Sequence, residues 1–106
     1  MERIDGAIEL QTVSEGYDRE TCWVQTRAGV IPPNAAVITT QKLRLTGSDV
    51  FYAVNSMYSE DGGVHFTRPE PQDGLGRRPY PENPELTMCP CDGTPAYHAA
   101  SDRLLL

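Results

Sequence analysis

No apolar run in the chain approaches the ~20 residues that a helix needs to cross a bilayer, so no membrane partner is expected. Basic residues are also scarce. Nine Lys and Arg stand against fifteen Asp and Glu, for a net charge of −6. A surface that tracks nucleic-acid phosphates needs clustered Lys and Arg, so no nucleic-acid partner is expected either. A local arginine pocket for a small anion is not excluded, because a few side chains can oppose the global sign. The cysteines do not make an even set: Cys22, Cys89 and Cys91 cannot all be paired. One residue separates Cys89 from Cys91, where common zinc knuckles have two. With His98 the pair reaches three ligands and finds no evident fourth. Reduced thiols are the reading, with no metal and no cofactor. The opening residues Met1-Glu2-Arg3-Ile4-Asp5 lack the basic-then-apolar order of a secretory leader, and read literally they imply a cytoplasmic address. No stretch sustains a 3.6-residue amphipathic period, so no long helix is expected.

What is present is punctuation and short β-prone runs. Gly and Pro contribute nine residues each, which makes turns frequent. Residues 1–20 are mixed and polar and read as an arm or a short strand with Ile4, Ile8 and Leu10 on one side. Residues 21–27 (TCWVQTR) suit a pleated surface, and Gly29 and Pro32-Pro33-Asn34 are expected to break it. Residues 35–42 (AAVITTQK) form a second strand candidate. Thr46-Gly47-Ser48-Asp49 marks a turn, and residues 50–58 (VFYAVNSMY) carry the clearest strand signal, with Tyr52 and Tyr58 read as packing residues. After Ser59-Glu60-Asp61-Gly62-Gly63, residues 64–67 read as a fourth strand. Residues 68–86, with Pro69, Pro71, Pro79, Pro81 and Pro84, read as an irregular loop through which no helix persists. Residues 87–106 resume with strand starts at 97–100 and 103–106. The fold class is therefore all-β. Four consecutive antiparallel strands over 21–67 match one propeller blade, a unit of roughly 40 to 50 residues. A single blade cannot bury both faces, and the apolar run Leu104-Leu105-Leu106 suggests that the next strand of a sheet is missing.

The turn after the third strand is the most specific feature. Ser59, Asp61 and Gly63, followed by Phe66, match the spacing Ser-x-Asp-x-Gly-x-x-aromatic. Ser and Asp side chains accept backbone N–H groups and close a tight hairpin. Gly63 permits a positive φ, and the ring of Phe66 plugs the layer beneath. This octapeptide resembles the Asp box of sialidase-like (BNR-repeat) proteins, with His65 where Thr is usual and Phe66 where Trp is usual. Residues 22–32, 41–43 and 47–52 are similar to the opening blade of that family, and residues 92–98 (DGTPAYH) resemble the start of its second blade.

The resemblance implies the first blade and the start of the second blade of a truncated six-bladed β-propeller. It implies a glycoside hydrolase acting on terminal sialic acids, whose partner is a sialylated glycan or other carbohydrate and whose remaining blades complete the fold. Arg27, near Ile31-Pro32, takes the place of the first carboxylate-clamping arginine, although three residues intervene where the family pattern has none. Arg44 and Asp49, five apart, reproduce the spacing of a second pocket arginine and the acid/base aspartate. Asp92 and His98 fall where the second blade faces ligand. Bidentate guanidinium contacts suit the carboxylate of a sialoside. The family's tyrosine nucleophile and its other clamp arginines lie on later blades, so catalysis by these 106 residues alone is not expected. Two alternatives stay open: a non-catalytic propeller that binds carbohydrate or protein, and a small β domain that binds metal through Cys89, Cys91 and His98.

Overall fold

The computed structural model describes residue 3, residues 5–47 and residues 49–106. Met1, Glu2, Ile4 and Ser48 lie outside the described residues, and with them the leader comparison, the side of a strand given to Ile4, and Ser48 in the turn. The described residues form three antiparallel sheets. The largest holds β1 (Thr21–Ile31), β2 (Ala35–Arg44), β3 (Phe51–Ser59) and β4 (Glu70–Pro71) in sequential order. The second is a hairpin of β5 (Arg78–Tyr80) and β6 (Asn83–Met88), and the third a hairpin of β7 (Ala96–His98) and β8 (Arg103–Leu105). No ring of blades closes among the described residues.

Three features differ from the sequence reading, each for a local reason. The first strand does not stop at Gly29 but runs to Ile31. Gly29 is buried because Pro95 and Leu104 lie against it, and a Cβ there would meet both at 2.9 Å; its glycine serves close approach rather than a turn. The fourth strand forms at Glu70–Pro71, not at residues 64–67. His65 gives its N–H to the Asp61 carboxylate at 2.9 Å, so these residues close the turn instead of extending a ladder. Thr67 is held beside β3 by its N–H on the Tyr58 carbonyl and its hydroxyl accepting the Tyr58 N–H, each at 2.9 Å. The segment read as an irregular loop contains β4, β5, most of β6 and one 3-10 turn (Asp73–Leu75). Its prolines are tolerated because a two-stranded hairpin leaves half of each strand's N–H groups without a ladder partner.

The two faces of the main sheet are covered by different parts of the chain. Register places Trp23 opposite Lys42 and Ile38 opposite Met57, on one face. The arm crosses that face. Gln11 donates to the Val64 carbonyl at 2.9 Å, the Trp23 indole N–H donates to Ser14 at 3.1 Å, and Lys42 donates to the Gly16 carbonyl while its ammonium sits 4.5 Å from the Trp23 ring. Asp18 then closes the entry to β1 by accepting the Thr21 and Glu20 N–H groups. The opposite face presents Gly29, Val37, Thr39, Gln41, Val54 and Ser56, and the β7–β8 hairpin folds over it. β8 finds its partner in β7 and Leu104 lies against Gly29, while Leu105 and Leu106 stay exposed.

Candidate functional site

The arrangement around Arg27 begins with a bulge. Val24 opposes Gln41 and Arg27 opposes Thr39, so three steps on β1 face two on β2. Strict alternation from Val24 would send Arg27 to the Trp23 face. The extra residue puts it on the face of Thr39 and Gln41, because a one-residue shift exchanges faces. Gln25 takes the conformational load, with φ of 54° in the left-handed region. Its side-chain oxygen then accepts from Arg27 Nη2 at 3.2 Å.

Arg27 Nη2 also reaches Asp92 Oδ1 at 2.6 Å, 65 residues away in sequence. Asp92 itself is held in a left-handed conformation, φ 60°. Gln41, 2 % exposed, fixes the approach of that segment. Its amide donates to the carbonyls of Tyr52 (3.0 Å) and Pro90 (2.8 Å), and its oxygen accepts the Asp92 N–H at 3.3 Å. The structure thus joins two residues singled out from sequence, Arg27 and Asp92, and adds two that were not, Gln25 and Gln41. The unbroken polar run Thr39-Thr40-Gln41 inside a central strand was the available signal for Gln41, since a buried polar side chain requires partners. For Gln25 the sequence carries no signal.

The other candidates lie elsewhere. Arg44 is the exposed last residue of β2, opposite Thr21, and its N–H bonds the Val50 carbonyl. Asp49 sits beyond it in the β2–β3 turn, exposed, with φ 55°. From Thr39, the partner of Arg27, to Arg44 is five residues along β2, about 17 Å at strand rise. His98 bonds Ser101 at 2.6 Å in its own turn. Cys89 donates to the Tyr52 carbonyl at 3.4 Å, and burial pushes its thiol upward, which disfavours a thiolate. Among the described residues no group of three metal-ligating side chains converges, so Cys89, Cys91 and His98 are not assembled as a centre. Tyr52 and Tyr58, read as packing residues, are 39 % and 40 % exposed, and Arg77 stacks over Tyr52 with its guanidinium carbon 5.7 Å from the ring centroid.

The Ser59–Phe66 hairpin lies at the other end of β3 from Asp49. Ser59 Oγ accepts the Gly63 N–H at 2.9 Å and donates to Asp61 Oδ1 at 2.9 Å. Asp61 also accepts from the His65 N–H, and its second oxygen contacts His65 Nδ1 at 2.6 Å. These bonds, the backbone N–H of His65 foremost, hold the Asp61 carboxyl well below the usual carboxylate range. Gly62 and Gly63 adopt φ of 72° and 90°, and the Gly62 N–H ties the hairpin to the β1–β2 turn through Asn34. Phe66 packs at van der Waals distance from the Gly63 position. The motif's internal bonding is complete and it is a structural staple.

No family model matches the chain, and neither a curated protein nor a solved structure is similar to it.

Proposed function

We propose that the chain is the N-terminal part of a sialidase-like glycoside hydrolase acting on terminal sialic acids of glycoconjugates, contributing part of the carboxylate-recognising pocket and unable to turn over substrate alone. The observation that carries the reading is the Arg27–Asp92 contact, made across 65 residues and aimed by a bulge. A guanidinium has five N–H groups. Arg27 engages three of them, with Thr26, Gln25 and Asp92, which leaves two for an anionic ligand. The Ser59–Asp61–Gly63 hairpin supports the same reading, because it stands in the order the family places it.

The test is titration of the chain with sialyllactose and with lactose, followed by amide NMR. Saturable shifts around Arg27 and Asp92 are expected with the acidic sugar, lactose binding at least about tenfold more weakly. Arg27→Gln should remove the difference. Equal binding of both sugars, or none of either, defeats the reading.

A second reading, a non-catalytic carbohydrate-binding sheet, is favoured by one separation: five residues along β2, about 17 Å at strand rise, lie between the partner of Arg27 and the end carrying Arg44 and Asp49. One pyranose ring does not span that distance. In a protein with the remaining blades, unchanged sialoside hydrolysis by Asp49→Ala would remove Asp49 as the acid and support this version.

A further inference from the structure

We infer that the fold sorts the Asp-Gly pairs of the chain: Asp73–Gly74 is a site of backbone rearrangement to isoaspartate, while Asp61–Gly62 and Asp92–Gly93 are protected from it. A further pair, Asp5–Gly6, lies in the arm. The chemistry is intramolecular and needs only water. The glycine backbone nitrogen attacks Cγ of the protonated aspartate carboxyl, the nitrogen's proton leaves with the carboxyl hydroxyl as one water, and a five-membered imide closes. Water then adds back. Attack at the side-chain carbonyl restores aspartate. Attack at the backbone carbonyl yields isoaspartate, in which the main chain runs through the β-carbon and gains one methylene. Glycine favours the first step because it has no Cβ to obstruct the attacking nitrogen.

The reaction requires a free carboxyl and a free N–H on the next residue. Asp61 offers neither. Its Oδ1 accepts from Ser59 Oγ and from the His65 N–H, its Oδ2 meets His65 Nδ1, and the Gly62 N–H is committed to the Asn34 carbonyl at 2.8 Å. Asp92 is bound through Oδ1 to Arg27 Nη2 at 2.6 Å and through its own N–H to Gln41, and the Leu106 side chain crowds Gly93, where a Cβ would meet it at 2.9 Å. Asp73 and Gly74 are both exposed. Among the described residues no ion pair reaches the Asp73 carboxylate, and the space around Gly74 is open. The restraint on this pair is the 3-10 turn Asp73–Leu75, whose ψ of roughly −20 to −30° turns the Gly74 nitrogen away from Cγ. That turn has no side-chain cap and closes on the Leu75 N–H to Gln72 carbonyl bond of 2.9 Å, so breaking one bond opens it. Conversion would carry the Gly74 carbonyl away from Arg78 Nη1, which donates to it at 3.2 Å at the entry to β5. Asp5 supplies the internal reference: its ion pair with Arg3 spans 3.7 Å, and both side chains are more than 90 % exposed.

The 106-residue chain should be incubated warm at mildly acidic pH, with and without urea. Each pair is followed with an endoproteinase that cuts before aspartate but not before isoaspartate, and by electron-transfer fragmentation of the peptides. In the folded chain Asp73 is expected to convert within about tenfold of Asp5, since opening one hydrogen bond slows it about fivefold. Asp61 and Asp92, each held by two bonds or more, should convert at least about twentyfold more slowly than Asp5. In urea the four rates should converge. Gly74→Ala has room for its methyl group and should abolish conversion at Asp73 while Asp5 keeps its rate. Should circular dichroism show that variant unfolded, Asp73→Glu makes the same test, because a glutamyl side chain must close a six-membered ring. Asp61 or Asp92 converting as fast as Asp73 in the folded chain would overturn the proposal. So would an Asp73 that converts only in urea.

Discussion

A primary amide buried in a sheet must place two N–H groups and one carbonyl oxygen, and Gln41 places them on Tyr52, Pro90 and Asp92. Substituting Leu keeps the volume and removes all three bonds at once, leaving the Pro90 carbonyl and the Asp92 N–H without these partners and the Tyr52 carbonyl with the weak Cys89 thiol donor. Gln41→Leu is therefore expected to destabilise the chain by about 3 kcal/mol, measured by urea unfolding. Residues 89–92 should lose amide-exchange protection first. The Arg27–Asp92 pair is a different case, because both side chains remain substantially exposed, at 39 % and 55 %. Its contribution in a double-mutant cycle should stay below about 1 kcal/mol and fall with salt. A third residue sets a pH dependence. Asp18 accepts the Thr21 N–H, the Thr21 hydroxyl and the Glu20 N–H, which lower its carboxyl from 3.8 to about 2. The folded state thus resists protonation more than the unfolded chain does. The contribution is complete above about 3.8 and is lost as pH falls toward about 2. Asp18→Asn should flatten the urea midpoint across that window relative to the parent, and an unchanged slope would show that Asp18 does not generate it. The chemistry of these residues could be read from their types, but their partners could not: Asp92 and Gln41 meet through a hairpin that local pattern does not encode.

At the scale of elements, the β1 bulge decides which face receives Arg27. Deleting Gln25 removes the extra residue, so two steps on β1 face two on β2 and Arg27 stays opposite Thr39. The register of residues 27–31 against 35–39 is kept, so its coupling to Asp92 in a double-mutant cycle should persist, and loss of that coupling would show that the bulge itself aims the guanidinium. Gly29 carries a second consequence of the same packing. Gly29→Ala should cost about 1–3 kcal/mol in thermal or urea unfolding, since Pro95 presents backbone as well as side chain at 2.9 Å and has little room to shift. Strands rich in β-branched or aromatic residues were legible in sequence, and β3 lies within a residue of its expected bounds because Phe51 to Tyr58 holds no Gly or Pro. The fourth strand was misplaced because the Ser59 and Asp61 side chains compete for the N–H groups that a ladder would use. The β5–β6 hairpin was missed because its prolines read as breakers, although an isolated two-stranded ribbon does not need their N–H groups.

For the whole molecule the decisive quantity is how little apolar surface is withdrawn from water. Among the described residues only Val54 and Met57 form a buried hydrophobic core, beside buried Thr39, Thr40, Gln41 and Ser59. Ile8 and Leu10 are more than 90 % exposed. The radius of gyration is 16.5 Å, against about 13 Å for a compact chain of roughly 100 residues. Hydrophobic burial is the dominant favourable term in folding, so a sheet flanked by a thin arm on one face and a small hairpin on the other has weak coupling between its layers. Its parts are then expected to separate before the sheet melts. Trp23, the single tryptophan, reports on this directly, because its indole donates to Ser14 of the arm and loses that bond and its cover when the arm lifts, while Lys42 stays opposite it in β2. In a urea titration, Trp23 fluorescence should shift to the red at a lower midpoint than the loss of far-UV circular dichroism from β1, β2 and β3. Two coincident transitions would mean that arm and sheet unfold as one unit. That outcome would require stronger packing across the Trp23–Lys42–Met57 face than its one buried apolar side chain, Met57, supplies.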